Sequence, residues 1–187
     1  MTLSSRILAL ASASVLALSL SACAAPSSPA PSGVGPTPAA TASADAGPVE
    51  GACADDAGVT LIVDSSALAD GQREEWCVPT DGDAAATDIV SDAGVTTEGT
   101  DEYGDQVICR VNGLPTADAP VGSTEDPAYA ESCATMPAAF AYWSLWVQPA
   151  GGEWGYATTG LSELTVSPGE SLALLFTLDG APASPAT

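Results

Sequence analysis

Leu172-Ala173-Leu174-Leu175-Phe176 is apolar at five successive positions. Successive side chains of a strand point to opposite faces, so an uninterrupted apolar run of this length belongs to a strand covered on both sides. It is read as the centre of a sheet, and the rest of the chain is laid out around it. Immediately upstream, Ser167-Pro168-Gly169-Glu170 is a turn signal that makes residues 164–166 and 171–178 the arms of one hairpin. Pro149-Ala150-Gly151-Gly152 is a second hairpin tip, between residues 141–148 and 153–156. Val59-Thr60-Leu61-Ile62-Val63 is a β-branched run ended by Asp64-Ser65-Ser66, and residues 75–78 can return beside it. Residues 106–111 form another strand, followed by the Asn112-Gly113 turn that Pro115 ends and by a loop over residues 116–127. Only residues 84–93 carry a helical stripe: Ala86, Ile89, Val90 and Ala93 recur at i, i+3, i+4 and i+7, with Gly94 at the C-terminal end. One short packed helix among six or seven strands predicts an α+β domain with a small mixed or antiparallel sheet.

The domain sits between two stretches of different character. Residues 1–22 read as a secretory signal: Arg6, then an apolar and small-residue run too short and serine-interrupted for a stop-transfer helix. The signal ends in Leu20-Ser21-Ala22-Cys23, which resembles the bacterial lipobox. That likeness implies a diacylglycerol thioether on Cys23, with palmitate-type acyl chains, and a protein held at the outer face of the cytoplasmic membrane. An ordinary cleavage site beside a chance Cys is the alternative. Residues 23–51 then comprise the anchor site and a tether. Of the 27 residues 24–50, 23 are Ala, Pro, Ser, Gly or Thr and six are Pro, so they bury little and extend. At about 3.1 Å per residue the tether reaches roughly 80 Å, into the cell wall. Residues 52–179 form a single domain, and residues 180–187 repeat the tether's composition and are expected to fray.

Charge excludes several function classes. Across 187 residues there are 3 Lys plus Arg, 24 Asp plus Glu and no His, a formal net charge of −21. Without the leader's Arg6, only Arg73 and Arg110 remain against all 24 acids, a formal −22. Such a surface repels nucleic acid and anionic membranes. The absence of His removes His-based triads and Cys/His zinc sites. Ser65, Ser66 and Ser144 have no His or Lys to activate them, so a non-enzymatic protein is expected, with no cofactor. The acidic clusters Asp55-Asp56, Asp81 with Asp83, Asp101-Glu102 with Asp105, and Glu125-Asp126 lie in loops and lack the EF-hand spacing. They read as solvated surface, with weak calcium binding by converging loops as the alternative.

With Cys23 assigned to the anchor, Cys53, Cys77, Cys109 and Cys133 remain, an even number in an exported chain. Three pairings are open. Proximity along the chain favours 53–77 and 109–133, each closing a loop of about 25 residues worth roughly 3.5 kcal/mol of chain entropy.

The aromatic stretch Ala141-Tyr142-Trp143-Ser144-Leu145-Trp146, with Glu153-Trp154-Gly155-Tyr156 beyond the hairpin tip, follows Val107-Ile108-Cys109-Arg110-Val111-Asn112-Gly113-Leu114-Pro115. This pattern resembles a family of actinobacterial secreted proteins encoded beside energy-coupling-factor type uptake transporters. It is similar, more distantly, to the C-terminal domain of transcobalamin and intrinsic factor. The resemblance runs over roughly residues 58–156 and rests on Cys109, Arg110, Gly113, Pro115, Cys133, Tyr142, Trp143, Ser144, Trp146, Gly151, Gly152, Trp154 and Tyr156, with Asp88, Ala93 and Gly94 in the helical segment and Val59 to Asp64 in the first strand. It implies export, disulfides and capture of a solute for an importer.

Strand alternation itself places Tyr142, Ser144 and Trp146 on one face and Trp143, Leu145 and Val147 on the other. The second set reads as core. The first, with Trp154 or Tyr156 across the hairpin, makes either a stacking platform for a ligand or the rim of the core. Arg110 is read as a structural bidentate ion-pair partner or as a contact to an anionic group of the ligand. Two functions follow from the same surface: a ligand-capture domain serving solute uptake, with a small-molecule solute or an envelope transporter as its expected partner, or an envelope adaptor that docks a protein.

Overall fold

The computed structural model describes residues 47–186. Its centre is β10, Ser171–Leu178, buried at every position from Leu172 to Thr177. On one side β10 runs parallel to β2, Gly58–Asp64, with Ala173 opposite Ile62. On the other it runs antiparallel to β7, Ala141–Gln148, with Ala173 opposite Trp146. Outside β2 lie β3, Arg73–Pro79, and the short β1, Val49–Glu50. Outside β7 lies β8, Gly155–Tyr156. The sheet order is therefore β1-β3-β2-β10-β7-β8, mixed because of the single parallel pairing. The expected α+β class, with a mixed sheet, one short helix and two disulfides, is the observed one.

Two ribbons complete the fold. β4, Ala84–Ala85, pairs with β9, Thr165–Val166, and β5, Thr97–Thr100, pairs with β6, Gly104–Val111. The helix α1, Ala86–Asp92, follows β4 directly and buries Ala86, Ile89 and Val90. It stops where Gly94 takes φ +74°, a conformation that costs glycine little. One face of the sheet, through Leu61, Val63, Leu172, Leu174, Phe176 and Trp143, joins α1, Val111, Val121, Leu161 and Val166 in the main core. The opposite face carries a smaller cluster of Ile62, Ala173, Leu175 and Trp146, flanked by Trp154.

Four expectations are corrected. Residues 164–166 do not pair with residues 171–178. The turn exists, with Glu170 N–H bonded to Ser167 O at 3.1 Å and Ser167 N–H to the Glu170 carboxylate at 2.8 Å. Both edges of β10 are already occupied by β2 and β7, however, so β9 finds its partner in β4. The helix is shorter than residues 84–93, because Ala84 and Ala85 are extended in that ribbon. The tether does not run to residue 51: Val49 and Glu50 sit opposite Cys77 and Trp76 as the edge of the sheet. Nor do residues 180–186 fray. Leu178 and Ala181 exchange backbone hydrogen bonds, Thr177 Oγ1 bonds Pro182 O at 3.1 Å, and Pro185 is buried. Residues 1–46 and 187, including the signal, Cys23 and most of the tether, lie outside the described residues.

Both disulfides join the expected partners, Cys53 with Cys77 and Cys109 with Cys133, at Cα separations of 4.5 and 5.5 Å. The first ties the segment before β2 onto β3, and the second ties β6 to the loop that precedes β7.

Candidate binding cleft between two strand edges

The alternation of β7 is as expected, but its consequence differs. Trp143 enters the main core, edge-on to Phe176 at 5.4 Å, with its indole N–H on Leu114 O at 3.0 Å. On the other face Trp146 is only 6 % exposed. Its indole N–H donates to Ser144 Oγ at 2.9 Å, and Ser144 in turn donates to Leu175 O at 3.0 Å. Those bonds lay the ring along its own strand, over Ile62, Ala173 and Leu175. Tyr156, directly opposite in the β7–β8 pairing, then stacks on it at 3.9 Å and 29°. Trp146 and Ser144, expected to meet a ligand, are thus internally occupied. Trp154 is half-buried against the same cluster. The expected open platform is a closed stack because this face of the sheet has little else to cover it, and burying a large ring there removes apolar surface from water.

Tyr156 itself is 60 % exposed, and Tyr142 is half-buried. Desolvation first, then the neighbouring Tyr142 hydroxyl, raises the Tyr156 phenol above its ordinary value, so Tyr156 is a neutral hydrogen-bonding group near pH 7. The two rings line a cleft of about 270 Å³ whose walls are residues 106–108 of β6 and residues 142–145 of β7, closed by Ala157 and residues 159–161. A neighbouring hollow of about 400 Å³ shares Val107, Tyr142 and Trp143 and is completed by residues 136–139, where Met136 is 59 % exposed. Of the predicted site residues, the structure brings Tyr142, Ser144 and Tyr156 to this cleft.

Arg110 is elsewhere, and both of its readings are corrected: it does not line the cleft, and it meets a carboxylate through one nitrogen, not two, because the other two bond backbone carbonyls. It is 8 % exposed, and its guanidinium donates to Pro115 O at 2.9 Å, Glu131 O at 2.6 Å and the Glu98 carboxylate at 2.8 Å. The two carbonyl bonds brace loops around the 109–133 disulfide, and the third crosses from β6 to Glu98 on β5. Glu131 is buried there too, accepting from Cys133 N–H at 2.7 Å and from the Tyr129 hydroxyl. Desolvation, then the bond to Glu131, pushes Tyr129 up to about 12.

Among the described residues, the one grouping of three side chains with metal-ligand chemistry is Cys109, Glu131 and Cys133, and its two sulfurs are bonded to each other. The loop carboxylates do not converge in threes. Asp83 accepts from Ser167 Oγ at 2.8 Å, while Asp55 and Asp56 edge a hollow beside Gly151 and Gly169. Ser66 Oγ donates to Asp64 at 2.6 Å and Ser65 Oγ to Gln72 O at 3.0 Å, so both hydroxyls serve a turn.

Sequence reasoning missed Gln106, Val107, the 136–139 segment and residues 159–161. They come from loops and strand ends with no shared periodicity, so no local pattern marks them. The Gly160 backbone packs so tightly on β6 that a Cβ there would lie 3.0 Å from Gln106 O. That approach joins the 159–161 segment to β6 but is invisible along the chain. No protein-family model, curated protein or solved structure matches this chain.

Proposed function

We propose that this chain is a non-enzymatic ligand-capture domain, displayed from a lipid anchor on Cys23 at the outer face of the cytoplasmic membrane, where it serves solute uptake. The observation that carries the reading is the cleft with Tyr142 and Tyr156 at its mouth, held on a scaffold of six strands and two disulfides. Concave sites with apolar walls and a few convergent polar groups are the usual form of a binding site. The lining supplies Gln106, Thr159 and two phenols but no charged side chain. Among the described residues both cations are paired, Arg73 with Glu75 and Arg110 with Glu98, each at 2.8 Å. A ligand of this site is therefore partly apolar and carries no large negative charge.

Native mass spectrometry of the full chain purified from its own envelope tests this reading. It is expected to show the lipid mass on an N-terminal Cys23 and a bound species that is lost in the Tyr142→Ala, Tyr156→Ala double variant. A chain without lipid mass refutes the anchor. A bound polyanion retained at about 0.15 M salt, where fields between exposed charges are screened beyond about 8 Å, refutes the assignment of the cleft.

A further inference from the structure

The walls of the cleft are runs of consecutive residues, 106–108 on one side and 142–145 on the other. Neighbours in a strand point to opposite faces, so a cavity that meets every one of them meets the strand's main-chain edge. The direction of that edge follows from the hydrogen bonds of β7. Ala157 N–H donates to Leu145 O at 2.9 Å, and Ala141 N–H donates to Ala138 O at 3.0 Å. Leu145 and Ala141 thus turn their polar groups away from β10, and by the period of two so does Trp143, which lies between them. β8 pairs only with Trp146 and Val147 and ends before reaching Trp143. β6 pairs with β5 and not with β7. Among the described residues the N–H and C=O of Trp143 therefore face the cleft with no backbone partner. An unpaired strand edge is a template for another strand.

We propose that the solute captured in this cleft is an extended peptide, added as a short strand beside β7 and opposite Trp143. The proposal rests on the reading of the cleft as the binding site and names its ligand class. The register sets the peptide's chemistry. The residue opposite Trp143 points toward the core face, where space is limited, and is small. Its two neighbours point toward the Tyr142 and Tyr156 rings. Asp105 adjoins Gln106 in β6, Glu163 lies two residues beyond Leu161, both are exposed, and the chain as a whole is strongly acidic. Those neighbours are thus apolar or basic, a lysine resting on a phenol ring by cation–π attraction.

The test is an amide NMR titration of the full chain with a blocked valine–lysine–alanine–lysine–valine peptide. It is compared with the same peptide N-methylated at alanine, with glutamate in place of lysine, and with riboflavin as a planar neutral solute. The expected result is saturable shifts centred on the Trp143 and Leu145 amides. Affinity should fall by about tenfold or more on N-methylation, which deletes a main-chain donor, and by a similar factor with glutamate. Equal binding of the N-methylated peptide overturns strand addition. No binding of the basic peptide, with riboflavin shifting residues around Tyr142 and Tyr156, overturns the peptide class and leaves the capture cleft standing. Silence of the cleft toward all four probes overturns both. Trp143 shifts that depend on protein concentration alone identify a second copy as the occupant. A Trp143 amide already protected from exchange in the free chain identifies the tether, residues 24–46. Either result overturns the external peptide.

Discussion

Replacing Arg110 with Ala separates a structural cation from a ligand-binding one. The guanidinium is nearly inaccessible and makes three bonds, two of them to the carbonyls of Pro115 and Glu131 and one to Glu98. The carbonyl bonds are the costly ones to lose, because each leaves a buried acceptor without a donor. Hydrogen bonds to a charged group contribute about 1.5–3 kcal/mol apiece. Glu98 has a side chain 57 % exposed, so its share of the ion pair is screened and stays within about 0–1 kcal/mol. Because the bonds share one side chain they do not simply add, and a loss of about 3–5 kcal/mol is expected. That corresponds to a fall in melting temperature on the order of 10 °C for a domain of this size. Glu98→Gln should cost no more than about 1 kcal/mol. Arg110→Lys should fail to rescue, since a single ammonium does not span three acceptors on separate segments. Urea denaturation with the disulfides intact, run on all three variants, provides the comparison. The reasoning is refuted if Arg110→Ala costs less than about 1 kcal/mol or no more than Glu98→Gln. A stable Arg110→Ala protein that has lost its ligand would restore the ligand-contact role.

Trp146→Ala is expected to cost about 3–5 kcal/mol, against about 2 kcal/mol for Trp146→Phe, which keeps an aromatic ring but loses the bond to Ser144 and part of the buried indole surface. Denaturant midpoints check both, and an unchanged Trp146→Ala protein would mean the ring does not seal this face. Non-reducing peptide mapping should recover the 53–77 and 109–133 pairs, and Cys109→Ser should destabilise by about 2–5 kcal/mol. The Asp179 carboxylate is held below its ordinary 3.8 by the Ser123 hydroxyl at 2.6 Å, then by the N–H and hydroxyl of Thr124 at 2.7 and 2.8 Å. A depressed folded value means that its contribution is whole above 3.8, declines as pH falls, and is gone below the folded value. The gap in urea midpoint between the native chain and Asp179→Asn should therefore narrow as pH is lowered through that window. A gap that stays constant down to acid would rule the network out.

The central strand was legible because five apolar residues in a row, Leu172 to Phe176, admit no exposed face, and the structure buries all of them. The disulfides were legible because residues near in sequence are near in space when a short loop joins them. The aromatic faces of β7 followed from a period of two. Tertiary structure alone decided the rest. Whether β9 pairs with β10 depends on which edges β2 and β7 have already occupied, and that is a property of the whole sheet. Whether Trp146 meets solvent depends on Ser144 turning its indole flat and on Tyr156 lying over it, two contacts that no local pattern encodes. The cleft is a more extreme case. It exists because β8 ends before Trp143 and because residues 159–161 pack on β6, so a main-chain edge stays open between segments more than thirty residues apart in the chain. Sequence periodicity reports which face of an element is buried. It carries no record of where the neighbouring strand stops, and that boundary is what makes the site.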